Sequence, residues 1–338
     1  MYLEQIKNSI FVSNFIKMKR VVSLLVFLVL LNSCDDGNLI QEDISFNDVP
    51  TQSCTTNNII YKLKDKESLL LEIPTTSFVN EPTAEGKPTI LNISSSNRVV
   101  YRFYNGKVSS DNICETIPPA SPQVTDEWIA TNGTIQIITT AIKTTDATTG
   151  RTKITGYNHN IVFKNITFDI GNGKTLVKET FPFGDYITTA TTLPFGFDEN
   201  VEQCSTSKQI YNYTSSEALT LDAIDSNLIQ NEITPLNTPR TGIIGTTVNK
   251  LVYRLYSNGV LTPSYFCNAT TPILPSVNEE WIAASGVANA SGIIEVTTTK
   301  VLDTYIHKIV FKKVTFTKGE SNFTLGDSYI YGELITTN

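Results

Sequence analysis

Short runs of apolar and polar residues alternate along most of the chain, which predicts β-strands rather than helices. Clusters of Gly, Pro, Asn and Ser separate the runs, and no capped segment with helical periodicity follows residue 34. The sequence therefore predicts an all-β protein, with a β-sandwich as the preferred fold and a barrel-like domain as the alternative. The strand candidates of the first half are Ile59 to Leu63, Leu69 to Ile73, Val99 to Tyr104, Thr134 to Ile142, Ile161 to Phe168 and Val177 to Ile187.

One strand candidate changes its pattern halfway. In IVFKNITF, residues 161–168, the apolar positions switch parity, and IVFKKVTF at residues 309–316 repeats the switch. A strand in regular register would turn half of these side chains to the wrong face. We therefore predict a bulge near Lys164-Asn165 and another near Lys312-Lys313.

The same series of motifs occurs twice in the chain. NRVVYRFYNG at 97–106 returns as NKLVYRLYSNG at 249–259, VTDEWIA returns as VNEEWIA, and FGDYITT at the end of the first copy answers YGELITT at the end of the second. Each copy spans about 140 residues, a normal domain size. The sequence thus predicts two homologous tandem domains.

The two copies differ in length where loops are expected. The second copy adds VANAS and lacks most of TTDATTGRTKI, which predicts hairpin tips near Asn132 and Thr148. The segment TTLPFGFDEN, with its proline, its glycine and its charged end, is typical of a linker. We assign residues 51–190 to the first β domain, 191–200 to the linker and 201–338 to the second β domain.

The start of the chain has the order of a secretory signal. Three basic residues at positions 17–20 precede an apolar run from Val21 to Leu31, about half of the roughly 20 residues that a membrane-spanning helix needs. Small polar residues follow. We expect residues 1–33 to be a signal peptide. Met18 begins a compact signal of its own and is a candidate for the true start.

Leu31-Asn32-Ser33-Cys34 resembles a bacterial lipobox, the motif whose cysteine is acylated and becomes the mature N-terminus. The resemblance implies that Cys34 carries lipid, palmitate included, and that several acyl chains hold the protein firmly on a membrane. The alternative is a plain exported or inner-membrane-tethered protein.

Residues 34–50 form a short tether after this cysteine. The tether is acidic and lacks apolar periodicity, so we expect it to be disordered. Acidic residues after the acylated cysteine resemble a surface-export signal of the Bacteroidota, whereas in enteric bacteria Asp35 would resemble an inner-membrane retention signal. We expect a lipid anchor in the outer membrane of a bacterial cell envelope, on its surface or periplasmic side.

Charge excludes one class of partner. Without residues 1–33 the chain has 22 basic and 32 acidic side chains, a net charge of −10. Nucleic acid binding is disfavoured because it depends on lysine and arginine neutralising phosphates.

The four cysteines after Cys34 fall at corresponding places in the two copies. In an exported protein they predict disulfides, and pairing within each copy joins Cys54 to Cys114 and Cys204 to Cys267. A metal-thiolate site is disfavoured because no CxxC spacing occurs. The sequence predicts neither a metal nor a cofactor.

No residue pattern predicts catalysis, because the chain lacks a GxSxG motif and an unpaired cysteine that could act as nucleophile. The two histidines, His159 and His307, occupy corresponding positions. We expect each to make a hydrogen bond on a sheet face, with a binding role as the alternative.

Two tryptophans and two pairs of adjacent carboxylates are the remaining candidates for a binding or catalytic site. Trp128 and Trp281 are each either a core residue beside the disulfide of its domain or a stacking platform for a ligand. Asp126-Glu127 and Glu279-Glu280 cannot act as catalytic pairs, because neighbouring residues of a strand point to opposite faces. We expect these carboxylates on a solvated edge.

The preferred function is a non-enzymatic binding or adhesion protein, anchored by lipid, whose duplicated modules raise avidity. Its partners would be the membrane and an extracellular glycan or protein. The alternatives are a structural or assembly component of the envelope and a glycan-acting enzyme.

Overall fold

A computed structural model describes residues 44–337 of the chain. The chain divides into two compact units, residues 1–47 and 48–338, and every strand and helix given below belongs to the second. The predicted signal peptide, Cys34 and the tether up to residue 43 lie outside the described residues. The regular structure of the second unit is almost entirely antiparallel β-strand, so the predicted all-β class is confirmed.

The first repeat forms one curled antiparallel sheet of eight strands. They are β1 (Gln52–Ser53), β2 (Ile59–Lys64), β3 (Glu67–Glu72), β4 (Thr89–Asn92), β5 (Arg98–Tyr104), β6 (Val124–Thr145), β7 (Thr152–Asp169) and β8 (Thr175–Thr189). The strand order is β1-β2-β3-β5-β6-β7-β8, and β4 pairs with β6. A 3₁₀ turn spans Thr75–Ser77, and a short helix, α1, spans Asp111–Cys114.

The second repeat contains the same strands divided between two sheets. They are β9 (Glu202–Gln203), β10 (Ile210–Tyr213), β11 (Glu217–Asp222), β12 (Arg240–Ile243), β13 (Lys250–Ser257), β14 (Ser276–Ala283), β15 (Ile293–Val301), β16 (Thr304–Lys312), β17 (Thr315–Lys318), β18 (Ser321–Thr324) and β19 (Tyr329–Thr337). A short helix, α2, spans Pro263–Cys267. One sheet has the order β18-β17-β14-β13-β11-β10-β9, and the other has the order β12-β15-β16-β19.

The two repeats share one topology. Each of three long strands of the first repeat corresponds to two strands of the second. β6 corresponds to β14 and β15, β7 corresponds to β16 and β17, and β8 corresponds to β18 and β19. The pairing agrees, because β4 pairs with the second half of β6 as β12 pairs with β15. The first repeat is therefore the same sandwich with its two layers joined by strands that run from one into the other.

Apolar side chains from both layers form the core of the second repeat. Leu219, Tyr253 and Trp281 come from the seven-stranded sheet, and Val296 and Phe311 come from the four-stranded sheet. All five are less than a tenth exposed. Burial of apolar surface between facing sheets stabilises a sandwich of this kind.

A single tyrosine also ties the two layers together. The hydroxyl of Tyr331, on β19, donates to the carbonyl oxygens of Ile210 and Leu219, on the opposite sheet, at 2.9 and 2.8 Å. Tyr331 is almost fully buried, and burial raises the pKa of its phenol well above the usual value. The hydroxyl therefore stays protonated and donates across the core.

The bulge predicted near Lys164-Asn165 is present. Asn165 has a φ of 50°, a region that few residues other than glycine adopt, and β7 has an extra residue opposite β6 at this point. The bulge predicted near Lys312-Lys313 is not: Lys313, with a φ of 49°, lies between β16 and β17, which belong to different sheets. In both repeats the apolar residues on either side of this point are buried, so the parity switch in the sequence reports a backbone irregularity at both places.

One predicted hairpin tip was wrong. Chain reversal near Thr148 is confirmed, but Asn132 lies inside β6, which continues to Thr145. Gly133 has a φ of 119°, and a Cβ there would lie 2.8 Å from the Cα of Ile166, so only glycine fits against the bulged partner strand. The glycine bends the strand without reversing it. The added VANAS residues of the second repeat form a turn at the corresponding place.

The linker packs onto the second repeat. Phe195 is 8% exposed, and its ring stacks on Tyr253 with centroids 4.2 Å apart. The backbone N–H groups of Phe195 and Gly196 donate to the buried carboxylate of Glu217 at 2.9 and 2.7 Å. The linker is thereby fixed to the core of the second repeat.

The first repeat also contacts the second directly. The hydroxyls of Tyr157 and Ser321 lie 3.1 Å apart in a buried contact, and Lys143 donates to Asn322 at 2.7 Å. The hydroxyl of Thr152 accepts from a backbone N–H of β18 at 2.8 Å. The repeats thus belong to one compact unit, and the independent folding of each repeat stays a prediction.

Candidate functional site

The two tryptophans lie in the core. Trp128 and Trp281 are 5% and 4% exposed. The ring of Trp128 packs against Tyr101 and Phe103, with centroids 5.3 and 5.0 Å away, and that of Trp281 packs edge-on against Phe323 at 5.1 Å. The described geometry gives neither ring an open face for stacking a ligand.

The disulfides lie on the other face of the sheet. The structure joins Cys54 to Cys114 and Cys204 to Cys267, both within a repeat. In the first repeat the cysteines pack against a separate apolar cluster that includes Val100. The side chain of Val100 points away from that of its neighbour Tyr101, which contacts Trp128. A tryptophan beside the disulfide was therefore a wrong prediction, because strand alternation separates the two.

His159 lies in a chain of hydrogen bonds with two threonines and an asparagine. The hydroxyl of Thr188 donates to the Asn80 side-chain oxygen at 2.6 Å, so it accepts from Nε2 of His159, 3.0 Å away. Nδ1 then accepts from the hydroxyl of Thr139 at 2.9 Å. This pattern requires a neutral ring, and burial lowers the pKa of His159 to about 4.

The second repeat contains the same chain. His307 lies 2.9 Å from the hydroxyls of both Thr298 and Thr336, and the latter donates to Asn231 at 2.6 Å. Arg240 donates to Thr298 at 2.8 Å. Burial, and then the charge of Arg240, lower the pKa of His307. Both rings are fully buried, as the hydrogen-bonding prediction requires.

The adjacent carboxylates lie on a solvated edge, as predicted. β6 pairs with β7 only from Ile129 onward, and β14 pairs with β17 only at Ile282 and Ala283, so each carboxylate pair has a neighbouring strand on one side only. Asp126, Glu127 and Glu280 are exposed. Asp126 accepts from the indole N–H of Trp128 at 2.9 Å, and Glu279 pairs with Lys318. Glu127 and Glu280 point to the outer face of the sheet, where each meets an arginine.

That outer face carries a groove of about 630 Å³ in the first repeat. Its floor contains an ion pair, with Nε of Arg102 lying 2.5 Å from a carboxylate oxygen of Glu127. Buried Tyr104 lies beside the pair, and helix α1 contributes Asn112. The rim is a proline-rich loop, residues 118–122, whose fixed φ angles make it stiff.

The second repeat has a groove of about 240 Å³ at the corresponding place. Nε of Arg254 lies 2.6 Å from a carboxylate oxygen of Glu280. Tyr256 and Tyr265 pack edge-to-face, 5.3 Å apart, and the half-buried ring of Phe266 lies next to Tyr265 at 5.5 Å. This groove has a more aromatic wall than the first.

Five lining positions correspond between the grooves. They are Arg102 and Arg254, Tyr104 and Tyr256, Asn112 and Tyr265, Pro118 and Thr271, and Val124 and Val277. The arginine and tyrosine are identical, whereas the helix and loop positions differ. The grooves thus share their floor and differ in their walls.

One groove side chain has a free donor. Asn112 is 8% exposed, and its side-chain oxygen accepts from the backbone N–H and the hydroxyl of Ser109 at 3.0 and 2.9 Å. Its amide nitrogen is buried without a hydrogen-bond partner among residues 44–337. Buried donors are normally paired, so an unpaired one in a groove indicates a place for a ligand atom or water.

The sequence had pointed to these residues only in part. The motifs VYRFY and VYRLY contain both arginines, and DEW and EEW contain the glutamates, so a recurring arginine opposite a recurring glutamate was the available signal. The sequence did not predict that the helix and the proline loop form the walls of the grooves, because this depends on how distant segments fold over the sheet.

Among residues 44–337, no group of three or more His, Cys, Asp and Glu side chains is arranged to hold a metal ion. No helix in that range has the length and apolar character needed to cross a membrane.

Comparisons with protein-family models, with curated proteins and with solved structures found no match to this chain.

Proposed function

We propose that this chain is a lipid-anchored protein of the bacterial envelope that binds an extracellular glycan or protein, without catalysis, through the two outer-face grooves. The anchor would be Cys34. The observation that supports binding most strongly is that a groove lined by the same arginine and tyrosine occurs in both repeats, and that this arginine pairs with a glutamate in each.

The chemistry of the grooves suits recognition. Arginine and tyrosine are enriched among the residues that dominate binding energy at interfaces. A rim stiffened by proline loses little conformational freedom when a ligand binds. The unpaired amide of Asn112 provides a donor that a carbonyl or hydroxyl oxygen of a ligand would satisfy.

The ion pairs argue against general acid–base chemistry in the first groove. Glu127 is the single carboxylate among the residues lining it, and Arg102 holds it at 2.5 Å. Glycoside hydrolysis needs two carboxyl groups with distinct roles. A binding function therefore fits this groove better than the glycan-acting enzyme does.

The two ion pairs provide a direct test. The mature chain from residue 34, with Cys34→Ser to remove the lipid site, is screened on glycan arrays and against envelope and host protein fractions. For each ligand found, the double variants R102M/E127Q and R254M/E280Q should each weaken binding about tenfold or more, since an interface anchor contributes over 1 kcal/mol.

The matched control removes another ion pair, formed by a second arginine of β5 on the same face of the sheet. Arg98 and Glu72 lie 2.8 Å apart on β5 and β3, outside the groove. The R98M/E72Q variant should bind as the wild type does. Binding that survives both groove variants would exclude the grooves as the site, and a complete lack of ligands would favour the structural or assembly function.

A further inference from the structure

A third concavity lies where the two repeats meet, apart from the outer grooves. It is a cavity of about 240 Å³ between three segments: the start of β7 at residues 151–155, the linker at 190–195, and Phe323 of β18. Because each repeat provides part of the wall, this cavity is not one of the features that the two repeats share.

The cavity contains an arginine without an ionic partner. The Nε atom of Arg151 is buried and has no hydrogen-bond partner, and within residues 44–337 neither Arg151 nor Lys153 forms an ion pair. The guanidinium lies over the ring of Phe195, 4.6 Å from its centroid. A buried guanidinium N–H that lacks an acceptor is costly, and an anion would satisfy it.

The buried carboxylate that holds the linker is already engaged. Glu217 accepts from the backbone N–H groups of Phe195 and Gly196 and from the hydroxyl of Tyr253, at 2.7 to 2.9 Å. Its oxygens therefore serve the linker and Tyr253. The positive charge of Arg151 remains available for a ligand.

The rest of the wall is largely apolar. Leu193, Pro194 and Phe195 of the linker, together with Ile154 and Phe323, line the cavity. A ligand that fits must therefore combine an anionic group with an apolar body. An engineered apolar cavity of about 150 Å³ holds benzene, so a cavity of this size is adequate for a medium-chain acid.

We propose that the junction cavity binds a small monocarboxylate with an apolar body, the carboxylate facing Arg151 and the body lying between the linker and Phe323. A ligand there contacts both repeats and the linker at once. Its binding therefore stabilises the whole unit as well as filling the cavity.

Octanoate is the ligand used to test the cavity, and octanol, which has the same chain length without the charge, is its control. The mature chain with Cys34→Ser is titrated with each by calorimetry and by thermal unfolding, and tryptophan fluorescence gives a third reading because Trp281 packs on Phe323. Octanoate should bind saturably and raise the unfolding temperature. Octanol should bind at least tenfold more weakly, because a charge-assisted hydrogen bond is lost.

The variant R151M keeps the length of the side chain and removes its charge, so it should also weaken octanoate binding at least tenfold. The control K174M removes an exposed cation from the turn between β7 and β8, outside the cavity, and should leave the affinity unchanged. Equal affinities for octanoate and octanol in the wild type, the absence of saturable octanoate binding, or full binding by R151M would each overturn the proposal. The comparison of the two probes holds even if R151M does not fold.

Discussion

Replacing Glu217 with alanine should lower the free energy of unfolding of the unit by about 4 kcal/mol. The side chain is 1% exposed and accepts three hydrogen bonds, two from linker N–H groups and one from Tyr253. Alanine would leave the donors of Phe195 and Tyr253 buried without an acceptor, and each unsatisfied buried group costs about 1–3 kcal/mol before the structure relaxes. The linker should then detach, and urea denaturation would measure the loss.

The first repeat provides a matched control for this variant. Glu67 occupies the position on β3 that Glu217 occupies on β11, since Glu67 pairs with Phe103 as Glu217 pairs with Leu255. Glu67 is only half-buried, so Glu67→Ala should cost less than about 0.5 kcal/mol. If the two variants were equally mild, the linker would not depend on the buried carboxylate.

The two buried histidines should make the protein sensitive to mild acid. His159 has a pKa of about 4 in the folded chain, against an ordinary value of 6.5. Because the folded state favours the neutral ring, its stabilising contribution is complete above pH 6.5 and is lost as the pH falls towards 4. The difference corresponds to about 3 kcal/mol for His159. His307 should add a loss in the same direction.

Urea denaturation of the wild type and of the H159Q/H307Q variant, at pH 7.5 and at pH 4.5, tests whether the histidines cause the acid sensitivity. The double variant should be less stable at pH 7.5, because glutamine cannot reproduce the threonine–histidine–threonine chain. Its further loss on acidification should be clearly smaller than that of the wild type, since carboxylates titrate equally in both. Parallel losses in the two proteins would show that the histidines do not cause the acid sensitivity.

The fold was largely predictable because strand alternation is a local property. The strand candidates, the repeat and the bulge near Asn165 all follow from which positions are apolar, whereas the parity switch at Lys313 marks a break between two sheets. The hairpin near Asn132 failed for a physical reason: an Asn-Gly pair also fits a bend inside a long strand when the partner strand is bulged. Length differences between repeats cannot distinguish these cases.

The site was less predictable because it depends on contacts between distant segments. Strand parity separates Tyr101 from Arg102, yet it does not reveal which face the helix, the disulfide and the proline loop cover. The hydrogen bond from the backbone N–H of Phe195 to Glu217 joins residues 22 positions apart, and no local sequence pattern predicts it. The candidate residues Trp128 and His159 attracted attention because they are rare, whereas they serve the interior.

Mass spectrometry of the mature protein from native membranes tests the proposed function most directly, because the proposal places the lipid anchor at residue 34. The N-terminal peptide should begin at Cys34 and carry acyl chains, and protease treatment of intact cells would then assign the surface or the periplasmic side. A peptide that contains an unmodified Cys34 thiol, or that continues from residues 1–33, would contradict a lipid-anchored binding protein.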